Sequence, residues 1–322
     1  MARHTYQQVV DRLSELQRTG ERRPAEVVEL GRWLFQEYKP SALSLPFLPC
    51  GTSAAALDPS EPAHWLLTEQ VFLATLDVKD WDFANQLLST LRRKFTQSNR
   101  VDRLAAMLLE AQGQYRDAGL VYNRLIEAEP TDMFASKRKI AIAKAQGQTS
   151  DAIVQLNKYL DIHANDLEAW LELADLYLRD SLHAQASFCL EEAIMLQPHN
   201  HILNQKYGEI QYTLGHYAVA FKYFCRAVEL CTDYLRGLYA LKLCVGRLRP
   251  DVVGNTGRVQ KATETTAPPS ADVLDQIDLL ATERILAVTN GTGKGAKVGA
   301  GDRQLPTYLR STVEEWLKEV AA

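Results

Sequence analysis

Two short runs in this sequence carry residue types that chemistry uses. The first is NGTGKGAKVGAGD, from Asn290, where glycines and lysines mingle as in loops that cradle phosphate. Such a loop needs G-x-x-x-x-G-K-[ST] between a strand and a helix, so that backbone N–H groups ring the phosphates and the lysine reaches them. Counted from Gly291, position 296 is Ala, Lys297 is followed by Val298, and no strand pattern precedes the run. The spacing fails, and the run reads as a flexible connector. The second is His199-Asn200-His201, two imidazoles that could ligate a metal. No carboxylate or thiol is spaced to complete a tetrahedral set. The run follows Pro198, so a turn with a capping role is the better reading.

The remaining reactive types are scattered. Cys50, Cys189, Cys225, Cys231 and Cys244 form no C-x-x-C pair and no Cys/His ladder, which fits reduced thiols serving as small core hydrophobes. No G-x-S-x-G or H-E-x-x-H signature occurs. No catalytic, cofactor-binding or metal-binding residue is assigned, and an enzyme with repeats attached has no motif to support it. The net charge of −4 does not drive wholesale binding to nucleic acid or anionic lipid. The first twenty residues lack an apolar h-region, and no run approaches the roughly 18–20 apolar residues that span a bilayer. Membrane association is therefore expected only through a partner.

What organises the chain is a repeat. Trp170, Leu173, Ala174 and Tyr177, then Ala186, Leu190, Ala193 and Pro198, follow the tetratricopeptide pattern of two antiparallel helices in about 34 residues. This places a unit at 167–200. One period forward, 201–234 offers Tyr207, Gly208, Gly215, Tyr217, Ala220, Phe224 and Ala227. Backward, 133–166 offers Gly147, Ala152 and Leu156, and 99–132 offers Ala106, Gly113, Tyr115, Ala118, Tyr122, Leu125 and Pro130. At 65–98 the match thins to Trp81, Ala84, Leu88 and Leu91. The small residues Ala106, Ala174 and Gly208 should face Ala118, Ala186 and Ala220 where paired helices cross. Gly113, Gly147 and Gly215 fall where a turn needs positive φ. The expected fold is all-α, a tetratricopeptide-repeat superhelical solenoid with flanking N- and C-terminal helices.

Three domains are expected. Residues 1–64 hold two capping helices, at 4–18 and 25–38, and a Pro-rich loop at 39–62. Residues 65–245 hold the array and a partial sixth unit, 235–245. Residues 246–322 hold a polar linker, a helix from Ser270 to about Thr289, the Gly/Lys run and an amphipathic helix from about Thr307. That last helix shows a stripe of Leu309, Val313, Trp316, Leu317 and Val320, which either caps the array or docks on a partner.

In this fold the first helices of the units line the concave surface. By register, Arg103, Met107, Glu110, Lys137, Lys144, Asp175, Leu178, Gln205, Glu209 and Tyr212 should point there. The result is a protein-binding groove of mixed sign, basic at its start and acidic at its end. It suits a protein partner better than nucleic acid.

Beyond the generic repeat, KRKIAIAKAQGQTSDAIVQLNKYLD, DLEAWLELADLYL, ASFCLEEAIMLQPHNH and QKYGEIQYTLG resemble the family of subunit 2 of the endoplasmic reticulum membrane protein complex. The upstream run FANQLLSTLRRKFTQSNRVDRLAAMLLEAQG is similar too, so the resemblance spans about 65 to 245. It implies a non-catalytic scaffold subunit without cofactor. Such a subunit is peripheral on the cytoplasmic side of the endoplasmic reticulum and holds cytosolic parts of other subunits in a hetero-oligomer. The complex inserts tail-anchored and multipass membrane proteins. Residues 39–62 and 249–306 depart from the family pattern. The alternative is a free co-chaperone adaptor that clamps peptide carboxylates. Its Lys/Asn clamp is missing here, since Ala141 follows Lys137 and Met107 follows Arg103 at the required spacing.

Overall fold

The computed structural model describes residues 6–37, 62–249, 269–289, 311–313 and 315–318. Most of the Pro-rich stretch, most of the polar stretch after Arg249, and the Gly/Lys run lie outside the described residues. So do Leu309 and Val320. The helices run α1 Tyr6–Thr19, α2 Pro24–Arg32 with a π-helical turn at Trp33–Glu37, α3 Pro62–Val78, α4 Trp81–Lys94, α5 Asn99–Ala111, α6 Tyr115–Ala128 and α7 Met133–Ala145. They continue with α8 Thr149–Ile162, α9 Leu167–Arg179, α10 His183–Leu196, α11 His201–Thr213, α12 Tyr217–Leu230, α13 Leu235–Leu248 and, as α14, Ala271–Thr289. No strand occurs among the described residues. The fold is all-α and of the tetratricopeptide-repeat type.

Local chemistry repeats with the period. Positive φ occurs at Lys79 (64°), Gly113 (80°), Gly147 (72°), Ser181 (60°) and Gly215 (85°), the same slot in five successive units. Each of these residues ends the first helix of its pair. The next residue's N–H then bonds five residues back, as in Gln114 N–H to Leu109 O at 2.9 Å and Leu182 N–H to Tyr177 O at 2.9 Å. This double closure satisfies the helix's orphan carbonyls and requires the left-handed residue. The sequence shows three of the five, because Lys79 and Ser181 hold the conformation without being glycine.

The starts of the first helices repeat as well. The side chains of Asp132, Asp166 and Asn200 accept N–H bonds from the first turns of α7, α9 and α11. The His-Asn-His run is thus a helix cap, with His201 edge-on to Tyr234 at 4.9 Å. Helices α6 and α10 end at Ala128 and Leu196, just ahead of Pro130 and Pro198.

The chain divides into two compact units, Met1–Gln148 and Thr149–Ala322. In the first, α1 and α2 bury Val9, Leu13, Val27 and Val28 in one core with Leu67, Val71 and Phe72 of α3. Farther along, Ala106 of α5 and Ala118 of α6 are fully buried at their crossing beside Tyr122.

In the second unit, Ala174 and Ala186 are likewise buried on the packed pair α9–α10, and Gly208 and Ala220 on the packed pair α11–α12. A Cβ added at Gly208 would stand 2.6 Å from the Phe224 ring, so only hydrogen fits there. After α13, α14 buries Leu274, Ala281 and Ile285 against Leu238, Leu241 and Cys244. The buried Lys242 ammonium donates to Asp278 and Thr282, each at 2.8 Å, and ties α14 to α13. Leu317 is buried in this core, and Trp316 meets Tyr239 edge-on at 5.0 Å. Of the terminal stripe, Val313, Trp316 and Leu317 therefore pack on the chain's own last helices.

Candidate protein-binding faces

Residues at the fifth, ninth and twelfth places of each unit share one face of its first helix, because these spacings are one and two helical turns. In the first compact unit, Met1–Gln148, this brings Arg103 and Met107 of α5 into a cleft of about 500 Å³ with Glu69 and Leu73 of α3, Arg100, Leu104 and Phe134. The Arg103 Nε stands 3.3 Å from Asp132 Oδ2, and its guanidinium lies over the Phe134 ring at 5.9 Å. Arg100 pairs with Glu69 across the same cleft. It opens beside a second hollow of about 480 Å³ walled by Trp65, Leu66, Leu91, Phe95 and Val101, with Lys94 over the Trp65 ring.

Glu110 behaves differently from its neighbours on the register. Its carboxylate accepts Arg138 Nη2 at 2.8 Å and Nε at 3.0 Å, and the Tyr122 hydroxyl at 3.3 Å. Burial, reinforced by Glu110, raises the Tyr122 phenol above its ordinary range. Of the Lys137-Arg138-Lys139 cluster, Arg138 is thus committed to a tie between α5 and α7. Lys137 and Lys144 are half-buried on α7 and line neither cleft.

In the second compact unit, Thr149–Ala322, Glu209 and Tyr212 line a cleft of about 570 Å³ between α11 and α13, floored by Phe224 and walled by Leu235, Tyr239, Ala240 and Leu243. Arg236 grips Glu209 with two hydrogen bonds of 2.6 Å. Tyr212 accepts from Arg247 Nε at 3.4 Å and meets Tyr217 edge-on at 5.1 Å. Gln205 lies beneath this surface, 1% exposed, with Nε2 donating to Glu209 at 2.9 Å. Asp175 is exposed and faces Lys206 at 3.7 Å, and Leu178 is half-buried on α9.

The structure therefore brings Arg103 with Met107, and Glu209 with Tyr212, into clefts, and does not add the other register residues to them. It also adds Glu69, Leu73, Tyr239 and Leu243, which the sequence reading missed. Each lies one period before or after Arg103, Met107, Gln205 or Glu209, so stepping the register into the first and sixth units would have found them. Among the described residues, no group of three His, Cys, Asp or Glu side chains could hold a metal ion.

Comparison with known proteins bears on this arrangement. A family model described as the EMC2 TPR-like repeat domain matches residues 86–227. The TPR repeat protein oca3 of Schizosaccharomyces pombe is 33% identical over 218 residues, which cover 65% of this chain and 77% of that protein. The chain belongs to the EMC2 family.

Another family member, ER membrane protein complex subunit 2-A of Xenopus laevis, is 44% identical over 180 residues, or 55% of this chain. The match covers 61% of the Xenopus protein's length. The crystal structure of the C-terminal part of a TPR repeat-containing protein from Cytophaga hutchinsonii superposes with a TM-score of 0.53. It is 14% identical and covers 89% of this chain and 97% of its own, a likeness of fold alone.

Proposed function

We propose that this EMC2-family chain is a non-catalytic scaffold subunit of the endoplasmic reticulum membrane protein complex. It sits peripherally on the cytoplasmic side and holds cytosolic parts of the other subunits in a hetero-oligomer. In that place it supports insertion of tail-anchored and multipass membrane proteins. The observation that carries this reading is the 44% identity to ER membrane protein complex subunit 2-A. The clefts support it. Each alternates apolar walls (Leu73 and Met107, or Tyr239 and Leu243) with charges already paired inside the chain (Arg100–Glu69, Arg236–Glu209). Such a surface favours apolar burial by a polypeptide over capture of a phosphate backbone. No helix among the described residues is long and apolar enough to cross a membrane, which fits a place held through partners. The array 65–245 would be the holding body, and no cofactor or nucleic acid enters the reading.

The test is purification of the tagged full chain from detergent-solubilised cells, with mass spectrometry of what accompanies it. Stoichiometric recovery of the other complex subunits, reduced by Met107→Glu or Leu243→Glu, is the expected result. Recovery of soluble chaperones alone would overturn the scaffold reading in favour of a free co-chaperone adaptor.

A further inference from the structure

Helices α8, α9 and α10 together carry a feature the scaffold reading does not use. Between α8 and α10 lies an open cleft of about 790 Å³. Its floor includes the buried Leu173. Its walls are aromatic: Trp170, Tyr177 and Phe188. Trp170 and Phe188 stand nearly at right angles, 78° apart with centroids at 6.1 Å, so their faces form a corner. The Trp170 indole N–H donates to Ala164 O at 2.8 Å, which fixes the ring in place. Phe188 is 54% exposed, a large apolar surface left in water. Asp161 and Glu192 supply charge at the rim, and among the described residues no Lys or Arg lines the cleft.

We propose that this cleft is a docking site for a basic segment of a partner protein, which inserts an arginine side chain into the aromatic corner. A guanidinium is planar and weakly hydrated, so it stacks on a ring face while its edge donates to a carboxylate. The two kinds of group it seeks are both present and are not matched by a cation from the cleft's own lining. The Lys ammonium, more strongly hydrated and not planar, gains less from such a corner. Anionic lipid and nucleic acid meet repulsion from Asp161 and Glu192, which leaves a basic polypeptide as the occupant. The proposal concerns the cleft of α8, α9 and α10 and does not depend on the clefts described above.

The probe is a fluorescein-labelled helical peptide with Arg and Leu at i, i+4 spacing, titrated against the full chain by anisotropy. Versions with Lys or Glu in place of Arg are run beside it. Saturable binding is expected. It should weaken about tenfold in Asp161→Lys/Glu192→Lys and about tenfold in Phe188→Ala, the loss of an ion pair or of a ring contact. The Lys peptide should bind several-fold more weakly than the Arg peptide, and the Glu peptide not at all. All three substituted side chains reach solvent, and circular dichroism confirms that the variants fold. Absence of saturable binding overturns the proposal. So does binding that falls in the charge variant but is unchanged in Phe188→Ala, because that outcome is general charge attraction. Co-purification of complex subunits reads the scaffold function separately, since Phe188→Ala leaves the first-helix clefts untouched.

Discussion

The recurrent left-handed turn residue permits a test in which handedness alone is varied. At Gly113 and Gly147 an added Cβ would meet nothing within 4 Å, so alanine there brings no clash and only the backbone conformation is penalised. A residue with a Cβ in the left-handed region costs about 1–2 kcal/mol relative to the right-handed one. Glycine carries an entropic disadvantage of about 0.5–1 kcal/mol in the unfolded chain. The difference predicts that Gly113→Ala and Gly147→Ala each lose about 0.5–1 kcal/mol. By the same arithmetic Lys79→Gly and Ser181→Gly, at φ of 64° and 60° on exposed turns, each gain about as much. Urea unfolding followed by far-ultraviolet circular dichroism gives the sign from the midpoint, provided the slope is unchanged. If Ser181→Gly destabilises as Gly147→Ala does, the turn is governed by side-chain contacts and the backbone argument is wrong.

Other substitutions probe packing and charge. Gly208→Ala should destabilise by about 1–3 kcal/mol despite alanine's better helix propensity, because the fully buried Phe224 ring has no room to retreat; Ala174→Leu should do likewise at the neighbouring crossing, both read as a lower melting temperature. Asp278→Ala strands the Lys242 ammonium, 2% exposed, and should cost about 3 kcal/mol, with faster amide exchange in α14 than in α11. His64 packs edge-on to Phe35 and Trp65, and burial lowers its imidazole below its ordinary 6.5. The unfolded chain therefore takes up the proton first, so the stability His64 contributes is complete above pH 6.5 and is lost as pH falls through the depressed value. Between about pH 7.5 and 5.5 the wild type should lose more melting temperature than His64→Phe, and equal losses would refute this.

How far the fold was legible follows from where its information lies. The helix pairs, their crossings and three of the five turns are written in residue type, because small residues, glycines and prolines each answer a local steric demand. Lys79 and Ser181 hid the other two, since their backbone is forced by the closure around them and not by their own preference. That these residues share one face of each first helix was legible as a helical spacing, yet spacing does not say how deep a side chain sits. Gln205 shares the face of Glu209 and still lies under it, covered where α13 packs. Glu110 reads as a groove charge until Arg138, one unit later, folds onto it.

The sequence by itself determined the repeat, its period and the family, because these rest on contacts within a helix pair and on the residue types that permit them. Tertiary structure alone decided which charges remain available and where the hollows fall. Arg103 meets Asp132, Arg236 meets Glu209, and Lys242 meets Asp278 only after successive helices stack. The cleft that Trp170 and Phe188 wall likewise exists only when α9 and α10 pack beside α8. The physical reason is that pairing and concavity depend on distances between residues far apart in the chain, and local residue preference carries no measure of those distances.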